Sequence, residues 1–388
     1  MSISRTIYKD IKKYAAKYPI IAITGPRQAG KTTLMQEEFK KYRYVSLENP
    51  DHMEFAINDP NGFLKQYNKY VIFDEVQRVP SLFSYLQSVV DRDKIMGQYI
   101  LSGSQSFNLI ENITQSLAGR VCLFRLFPFD IQELSTNNMA MKSIGSQLFK
   151  GFYPAIYDRK INPAKYYSDY IETYVKRDIS QLVNIQDMRS FNRFVKLCAV
   201  RAGYLLNYSD LAKDAGISHM TARNWMSLLE TSFITFLLPP YYKNYNKRLT
   251  KSPKLYFYDT GLLCHLLRVD ENKLSSTHAL WGHLFENYVV AEYHKLAAHQ
   301  NLYRDMYFWR DSHGHEVDLL IEENDHLQIL EIKASSTVKS DMFKEMDRFQ
   351  SLDPDNPIKK TLVYGGTEAQ KRSNYNVVPW NQLGVGKW

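Results

Sequence analysis

Cysteine is scarce in this sequence, long apolar runs are missing, and the start of the chain lacks the pattern of a secretion signal. The 3 cysteines among 388 residues are Cys122, Cys198 and Cys264. They have no metal-site spacing and cannot all pair, which favours a reducing, cytoplasmic compartment. The longest apolar run, residues 233–238 with Thr235 inside it, is far shorter than the roughly 20 residues of a membrane-spanning helix. Charges occupy residues 1–10, where a signal peptide needs an apolar stretch, so we expect neither a membrane span nor secretion.

The composition is that of a soluble globular protein, with 44% apolar and 23% charged residues. At about 150 residues per domain, the chain is expected to form two or three domains. The net charge is 49 − 41 = +8, and most of it comes from residues 186–260, where 11 Lys/Arg and 5 Asp/Glu give 11 − 5 = +6. Such an excess permits an anionic partner without requiring one.

The first third of the chain alternates short apolar runs with helical patterns. Strands are expected at residues 20–23, 44–47, 70–73, 98–101 and 121–126. Helices are expected at residues 4–18, 31–40, 81–91 and 108–118. This alternation predicts an α/β domain over residues 1–135, with a parallel sheet that is covered on both faces.

The remainder divides into three further segments. Residues 136–185 are expected to be a linker, a loop as far as residue 151, followed by one long helix over 163–183. Residues 186–260 predict helices, two of them capped by Ser209 and Ser218, and then two strands. The expected elements of this segment are helices at 191–202 and 220–230 and strands at 233–238 and 255–258. Residues 261–388 predict a second α/β domain, with a helix at 281–296, strands at 307–309, 317–321 and 327–332, a helix at 340–349 and a strand at 361–364.

A glycine-rich turn follows the first expected strand. It consists of Gly25, Pro26, Arg27, Gln28, Ala29, Gly30, Lys31, Thr32 and Thr33. This is the P-loop spacing, in which backbone amides at a helix N-terminus surround phosphate groups and glycines allow the close approach. Lys31 is expected to reach the β- and γ-phosphates of ATP, and Thr32 to ligate Mg²⁺. The alternative is a tight strand–helix turn without a ligand.

Two acids follow the strand expected at residues 70–73. Asp74 stands at the end of that strand, where it is expected to hold Mg²⁺ through water. Glu75 is expected to act as the general base on the attacking water. The alternative is an acidic turn after a strand.

Two further polar positions complete the expected site. Ser104, or instead Ser102, is expected to sense the γ-phosphate, the alternative being a capping turn. Arg120 precedes the last strand, from where an arginine can project into the nucleotide site of a neighbouring subunit as an arginine finger. That role predicts a homo-oligomer, and the alternative is a surface arginine in a turn.

These motifs are GPRQAGKTT, YVIFDEVQ, LSGSQ and SLAGRV, and in this order they resemble the AAA+-type archaeal and bacterial P-loop ATPase family. In that family the ATPase domain precedes a C-terminal domain of uncharacterised role. Further strings that resemble its second half are GFYPAIY, YIETYVKRDI, LLNYSDLAKDAGIS, KSPKLYFYDTGLL and HLFENYVVAEYHK. The resemblance implies binding of ATP with Mg²⁺ and identifies no substrate.

Residues 208–230 resemble a helix-turn-helix, and the expected hairpin after them resembles a wing. The side chains that could face a groove are His219, Thr221, Arg223 and Asn224. The loop 241–254 carries Lys243, Lys247, Arg248, Lys251 and Lys254, interleaved with Tyr241, Tyr242 and Tyr245. Such a loop suits contacts to DNA phosphates. The alternatives are a solvated charged face, and a lid or docking surface for another protein.

Carboxylates and a lysine also gather in the C-terminal segment. Asp318 lies on one expected strand, and Glu331 and Lys333 share a face of the next because side chains alternate. Glu286, on the preceding helix, could join them. The pattern resembles the PD-(D/E)XK nuclease core of restriction-endonuclease-like domains, in which acids bind Mg²⁺ and the lysine orients water. The alternative is a retained scaffold without activity.

Together these patterns predict a cytoplasmic AAA+-type ATPase that hydrolyses ATP. Its winged-helix and nuclease-like segments are expected to couple the nucleotide state to binding of a nucleic acid or an unknown protein partner. Two alternatives remain open, a nucleotide-dependent binding switch with slow hydrolysis and an ATP-gated, Mg²⁺-dependent nuclease. Turnover that a partner stimulates distinguishes the ATPase from the switch.

Overall fold

The structure, a computed structural model, describes most of the chain and divides it into two units. The described residues are 3–103, 116–179, 187–242, 251–302, 304–322, 326–352, 354 and 357–384, with side chains at all of these except 176–179. Unit 1 comprises Met1–Phe129 and Ala298–Leu302, and unit 2 comprises Asp130–Ala297 and Tyr303–Trp388.

Unit 1 is built on five parallel strands in the order β2-β3-β4-β1-β5. They are β1 (Ile20–Thr24), β2 (Arg43–Ser46), β3 (Val71–Asp74), β4 (Tyr99–Gly103) and β5 (Val121–Arg125). All residues of β1 are buried because a strand inside a parallel sheet is covered on both faces. The predicted α/β domain with a parallel sheet is therefore confirmed, and its strand ends differ from the expected ones by at most two residues.

Five α-helices are described in unit 1. They are α1 (Tyr8–Ala15), α2 (Lys31–Glu38), α3 (Pro50–Asn58), α4 (Pro60–Gln66) and α5 (Leu82–Asp93). Helices α3 and α4 are not among the expected helices, although each begins with a capping residue followed by proline. The Asn49 side chain accepts a hydrogen bond from the backbone N–H of Asp51, and Asp59 accepts one from Gly62. Of the helix expected at 108–118, residues 108–115 lie outside the described part of the chain.

Unit 2 begins with a helical region. The α-helices of the whole unit are α6 (Ile131–Thr136), α7 (Ile144–Lys150), α8 (Pro154–Asp158), α9 (Pro163–Tyr170), α10 (Met188–Val200), α11 (Tyr208–Ala215), α12 (His219–Thr231), α13 (Thr260–Leu266), α14 (Trp281–His299, of which the last two residues fall in unit 1) and α15 (Lys344–Ser351). The loop expected at 135–151 is wrong in part, because Ser143 caps α7 by accepting from the backbone N–H of Ser146. The expected long helix changes at its middle, where α9 is followed by a π-helix over Ile171–Ile179.

Helices α11 and α12 lie in the segment that resembles a helix-turn-helix, and that assignment stays a prediction. Asn207, and not Ser209 as expected, caps α11, because the Asn207 side chain accepts from the backbone N–H groups of Ser209 and Asp210. Gly216 ends this helix with φ of 74°, a left-handed conformation that suits glycine. Ser218 then caps α12 as expected, by accepting from the backbone N–H of Thr221.

Two sheets complete unit 2. The antiparallel hairpin of β6 (Thr235–Leu238) and β7 (Lys254–Phe257) follows α12. The larger sheet has the order β12-β13-β11-β10-β9-β8. Its strands are β8 (Asp305–Arg310), β9 (Glu316–Glu322), β10 (Leu327–Lys333), β11 (Ile358–Tyr364), β12 (Gln370–Lys371) and β13 (Asn376–Pro379). This sheet is mixed, since β10 pairs parallel to β11 and antiparallel to β9.

Within the described ranges, no helix combines the length and the apolar character that crossing a membrane would require.

Candidate functional site

The glycine-rich turn connects β1 to α2 at the carboxyl edge of the sheet in unit 1. Gly25 has φ of 149°, and a Cβ added there would lie 2.0 Å from the carbonyl oxygen of Leu126, so a larger residue does not fit. Gly30, with φ of 93°, is the left-handed residue immediately before α2. Both glycines of the P-loop spacing therefore have a backbone reason to be glycine.

Lys31 is the first residue of α2, and its side chain bends back over the turn. Its Nζ donates to the carbonyl oxygens of Gly25 at 2.9 Å and Pro26 at 2.8 Å. Burial lowers the pKa of Lys31 to about 8, although the carboxylates of Glu75 and Asp74 act in the opposite direction. The ammonium is thus held by neutral carbonyl groups at the place where an anionic phosphate would bind.

Asp74 ends β3 and accepts hydrogen bonds at both carboxylate oxygens. Thr32 donates to its Oδ2 at 2.8 Å, and the Tyr44 hydroxyl donates to the same oxygen at 2.6 Å. Ser102 Oγ donates to Oδ1. The structure therefore brings together Thr32 and Asp74, the two expected magnesium ligands, on neighbouring elements.

Glu75 lies at the turn that follows β3, and its backbone has φ of 54°. A residue with a Cβ adopts this left-handed conformation at a cost of about 1–3 kcal/mol, and such strain is concentrated at functional sites. The Gln77 side-chain amide donates to Glu75 Oε2 at 2.5 Å and fixes the orientation of the carboxylate. Glu75 thus follows Asp74 directly at the same edge of the sheet as the glycine-rich turn.

Two of the groups around this edge, Tyr44 and Arg5, were not predictable from local sequence patterns. Tyr44, in β2, is brought to Asp74 by the pairing of β2 with β3. Arg5 is buried and donates to the carbonyl oxygens of Ala29 at 2.9 Å and Phe127 at 2.6 Å, which ties the turn to the segment after β5. No local motif marks either residue, because each contact joins positions that are distant in the sequence.

Ser104, expected to sense the γ-phosphate, lies outside the described residues. The alternative, Ser102, is the fourth residue of β4 and is fully buried against Asp74. The Ser102 hydroxyl therefore lies within the site. Sensing of the γ-phosphate stays a prediction for both serines.

Arg120 lies at the other edge of the same sheet. Its carbonyl oxygen accepts from the backbone N–H of Ile20, the first residue of β1, whereas the glycine-rich turn follows the last residue of that strand. A strand of this length spans about 16 Å. The guanidinium is paired in a bidentate manner with Asp91 of α5, with Nε to Oδ1 at 2.6 Å and Nη2 to Oδ2 at 2.7 Å. Arg120 therefore lies away from the glycine-rich turn of its own chain, and its role as an arginine finger stays a prediction.

In unit 2, α12 presents a polar, exposed face. The exposed residues on it are His219, Met220, Arg223, Asn224 and Ser227. The Arg223 guanidinium lies over the ring of Tyr208, 5.1 Å from its centroid. Of the four residues expected to face a groove, Thr221 is half-buried, and its hydroxyl hydrogen-bonds to that of Ser218.

The basic loop between β6 and β7 is described only at its ends. Lys243, Lys247, Arg248 and Tyr245 lie outside the described residues, whereas Lys251 is exposed. The expectation that Lys254 faces a phosphate backbone is wrong. Lys254 is 3% exposed, because it is the first residue of β7 and its side chain turns inward to the carboxylates of Glu286 and Glu316.

The expected C-terminal constellation does come together. The Nζ of Lys333 hydrogen-bonds to Glu331 and lies 4.0 Å from Oδ2 of Asp318. Asp318 Oδ2 also accepts from the backbone N–H of Ile332 at 2.8 Å. Burial and the Glu331 carboxylate raise the pKa of Asp318 well above its ordinary value, although Lys333 and Lys254 oppose the shift. Glu286 belongs to the same cluster because it forms an ion pair with Lys254. The Asp318 carboxylate also attracts the Lys254 ammonium.

The residues of the P-loop fit a nucleotide with magnesium. Hydroxyl and carboxylate oxygens, as on Thr32 and Asp74, are the ligands that Mg²⁺ prefers. A buried ammonium that is held by carbonyl groups gains most from a phosphate. The chemistry of this donor set therefore matches the ATP and Mg²⁺ that the sequence motifs predict.

Comparison with known families agrees with this site. Residues 17–135 match the family model described as AAA domain. Residues 141–273 match a domain of unknown function (DUF8612), and residues 281–383 match another domain of unknown function (DUF4143). The first match confirms the prediction of an AAA+-type P-loop ATPase domain.

Two curated relatives align with most of the chain. They are the uncharacterised protein Mb2031c of Mycobacterium bovis and the uncharacterised protein Rv2008c of Mycobacterium tuberculosis. Each is 31% identical over 333 residues, which cover 84% of this chain and 73% of the relative.

Among solved structures, similarity extends to the Walker-type ATPase PABY2304 of Pyrococcus abyssi, with 12% identity and a TM-score of 0.43. The match covers 67% of this chain and 94% of that one. AMPPCP-bound DnaA from Aquifex aeolicus is 18% identical with a TM-score of 0.29, covering 58% of this chain and 85% of that one. These scores are too low for a comparison of sites.

Proposed function

Because this chain belongs to the same family as its two mycobacterial relatives and carries an AAA domain, we propose that it binds and hydrolyses ATP. In the proposal the glycine-rich turn and Lys31 hold the phosphates, and Thr32 and Asp74 hold Mg²⁺. Glu75 activates the attacking water. The observation that carries the proposal is the convergence of Thr32 and Asp74, 2.8 Å apart, beside a buried lysine that is held by carbonyl groups.

The hydrolysis step follows from where these residues lie. Mg²⁺, when bound, would withdraw charge from the phosphate oxygens. Lys31 would exchange its carbonyl partners for phosphate, which places a positive charge where negative charge accumulates. Glu75, whose orientation Gln77 fixes, would take the proton of the water. Hydrolysis at a rate that a partner raises supports the ATPase, whereas slow hydrolysis with tightly retained nucleotide supports the binding switch.

Lys31 supplies the test of ATP binding. At pH 8 about half of the Lys31 side chains carry a charge in the free protein, because the pKa is lowered to about 8. A bound phosphate raises that pKa, so binding is expected to take up about half a proton at pH 8 and almost none at pH 6, and affinity falls as the pH rises above 8. Isothermal titration with ATP in buffers of different ionisation enthalpy measures the uptake.

Lys31→Ala protein is expected to show no tight ATP binding. Lys40→Ala, which removes an exposed lysine shortly after the same helix, is the matched control and is expected to bind ATP with normal proton uptake. Binding by Lys31→Ala at the affinity of the unchanged protein contradicts the assignment.

A second proposed function is binding of a nucleic acid through α12 and the basic loop, the helix and wing of a winged helix. It is supported by the polar, exposed face of α12 and by the charge of residues 186–260, 11 − 5 = +6. Under this proposal the nucleotide state of the ATPase controls the contact. A protein partner docking on the same face is the alternative outcome.

We expect affinity for double-stranded DNA to fall steeply with salt and to depend little on sequence. Replacing Lys247, Arg248 and Lys251 together with alanine is expected to flatten the salt slope by about 0.9 for each phosphate that the variant no longer neutralises. The matched control replaces Lys9, Lys12 and Lys13, three exposed lysines at the start of unit 1. Fluorescence anisotropy at several salt concentrations measures the slopes, and absence of binding at low salt favours a protein partner.

The alternative of an ATP-gated nuclease is supported by the meeting of Asp318, Glu331 and Lys333 on β9 and β10. It needs a metal ion among these acids. The Lys254 ammonium already pairs with Glu286 and Glu316, two neighbouring acids that would be needed to bind such a metal ion. We therefore rank ATP hydrolysis above nuclease activity. The domain boundaries 1–135, 136–185, 186–260 and 261–388 are also part of the proposed function.

A further inference from the structure

A buried lysine neutralises the acid cluster of unit 2 from outside the expected constellation. The Nζ of Lys254 lies 3.0 Å from Glu286 Oε1 and 2.5 Å from Glu316 Oε1. These three residues come from β7, α14 and β9. A lysine side chain that is 4% exposed is found only where its charge is paired. The ammonium therefore belongs to the cluster as a structural counter-ion.

The strand that delivers this ammonium is fixed on both sides. In the hairpin Lys254 pairs with Leu238 of β6. On the other side of the same strand, the backbone N–H of Leu255 donates to the carbonyl oxygen of Tyr204 at 3.1 Å, and its carbonyl accepts from Gly203 at 2.7 Å. The hydroxyl of Tyr256 adds a hydrogen bond to Glu286 at 2.7 Å. The backbone is held, so the ammonium leaves only by rotation of its own side chain.

The cluster holds more carboxyl groups than ammonium groups. Its carboxylates are Glu286, Glu316, Asp318 and Glu331, and its ammonium groups are Lys254 and Lys333. Glu331 is 3% exposed, and its buried Oε2 has no hydrogen-bond partner among the described residues. A buried carboxylate oxygen without a donor is costly and is suited to a cation.

Charge on Lys254 is favoured despite its burial. Desolvation acts against the ammonium, but this group donates hydrogen bonds to the carboxylates of Glu286 at 3.0 Å and Glu316 at 2.5 Å, which offset that cost. A divalent cation bound to the same oxygens would face this ammonium at a few ångströms, where like charges repel strongly. Because the Lys254 ammonium contacts the oxygens of both Glu286 and Glu316, it takes the position that a cation bound to these two acids would need.

We propose that the Lys254 ammonium and a divalent cation are alternative occupants of the carboxylate cluster of Glu286, Glu316, Asp318 and Glu331, in which no three carboxylates converge closely enough to hold a metal ion while the lysine is in place. The unchanged chain keeps the site filled with its own lysine and takes up Mg²⁺ or Mn²⁺ there only when that ammonium is removed. This proposal does not rest on ATP hydrolysis, and it names Lys254 as the group that decides whether the nuclease-like site can hold metal.

The test is titration of nucleotide-free protein with Mn²⁺, with free Mn²⁺ measured by electron paramagnetic resonance. Lys254→Met is expected to bind one more Mn²⁺ per chain than the unchanged protein, at least about tenfold more tightly at this site. Lys254→Met/Asp318→Asn is expected to lose the additional ion, which separates it from any Mn²⁺ near the P-loop. Lys254→Arg keeps a cation in place and is expected to gain no ion.

Two results overturn the proposal. In the first, Asp318→Asn alone removes a Mn²⁺ that the unchanged protein binds, which means that metal and ammonium coexist. In the second, folded Lys254→Met binds no additional Mn²⁺. If Lys254→Met is unstable, Mn²⁺ is expected to raise its melting temperature but not that of Lys254→Met/Asp318→Asn, and absence of this difference also overturns it. ATP binding is measured in a separate experiment and depends on the P-loop of unit 1. A failure of the proposed ATPase function can therefore be distinguished from a failure of the proposal for Lys254.

Discussion

Glu75→Gln protein is expected to bind ATP as tightly as the unchanged protein and to hydrolyse it about 10²–10⁴-fold more slowly, the usual contribution of a general base. The substitution keeps the size of the side chain and removes only its ability to take a proton. Asp74 keeps its hydrogen bonds from Thr32 and Tyr44, so the site itself remains assembled. Phosphate release under single-turnover conditions measures hydrolysis, and equilibrium titration measures binding.

Glu48→Gln is the matched control for this substitution. Glu48 follows β2 at the same edge of the sheet, is exposed, and pairs with Arg78 at 3.1 Å. A surface pair of this kind contributes little, so hydrolysis is expected to stay within about twofold of normal. If Glu75→Gln hydrolyses ATP at the normal rate, Glu75 is not the base.

A variant of this kind is also a tool for identifying partners. If hydrolysis is blocked while ATP stays bound, any partner that prefers the ATP state remains attached. A pull-down with Glu75→Gln, compared with Glu48→Gln, therefore separates partners of the ATP state from proteins that bind regardless of nucleotide. The comparison tests the coupling that the proposed function assumes.

The sequence was most informative where function depends on neighbouring residues. Gly25, Gly30, Lys31 and Thr32 form one contiguous turn, and Asp74 follows a clean apolar strand. Each of these patterns reports a local backbone requirement, so spacing alone could place them. The parallel sheet was predictable for the same reason, because buried strands such as β1 appear in the sequence as short apolar runs.

Contacts between distant segments could not be read in this way. Tyr44 reaches Asp74 across 30 residues, and Lys254 reaches Glu316 across 62. In sequence Lys254 ends a run of basic residues and so suggests an exposed loop. Only the pairing of β7 with β6 turns its side chain toward α14 and β9. The errors at α3 and α4 were different, since Asn49-Pro50 and Asp59-Pro60 are recognisable helix starts.

Arg120→Ala is expected to reduce ATP hydrolysis by about 10³-fold with little change in ATP affinity, the effect of losing an arginine finger. Arg120 lies at the edge of the sheet opposite to the P-loop of its own chain. The loss must therefore arise at an interface between subunits. Steady-state hydrolysis at several protein concentrations, with the oligomeric state measured in the same samples, tests this.

Substitution of Asp91 distinguishes a catalytic role of Arg120 from a structural one. If the bidentate pair of Arg120 with Asp91 served only to hold α5 against β5, Asp91→Asn and Arg120→Ala would have equal effects. A finger predicts that Asp91→Asn retains hydrolysis, because the guanidinium remains and is freer to reach the neighbouring nucleotide. Arg92→Ala, which removes an exposed arginine of the same helix, is expected to change nothing.

Mixing experiments complete the argument for a role in trans. Arg120→Ala supplies an intact P-loop, and Lys31→Ala supplies an intact Arg120, although each alone is expected to be inactive. Mixed assemblies contain interfaces at which Arg120 of one subunit faces a functional P-loop of the other, so part of the activity is expected to return. Recovery should rise and then fall with the mixing ratio, because only mixed interfaces are active. A protein that is monomeric with ATP and fully active contradicts the arginine finger, and the pair with Asp91 is then a surface salt bridge.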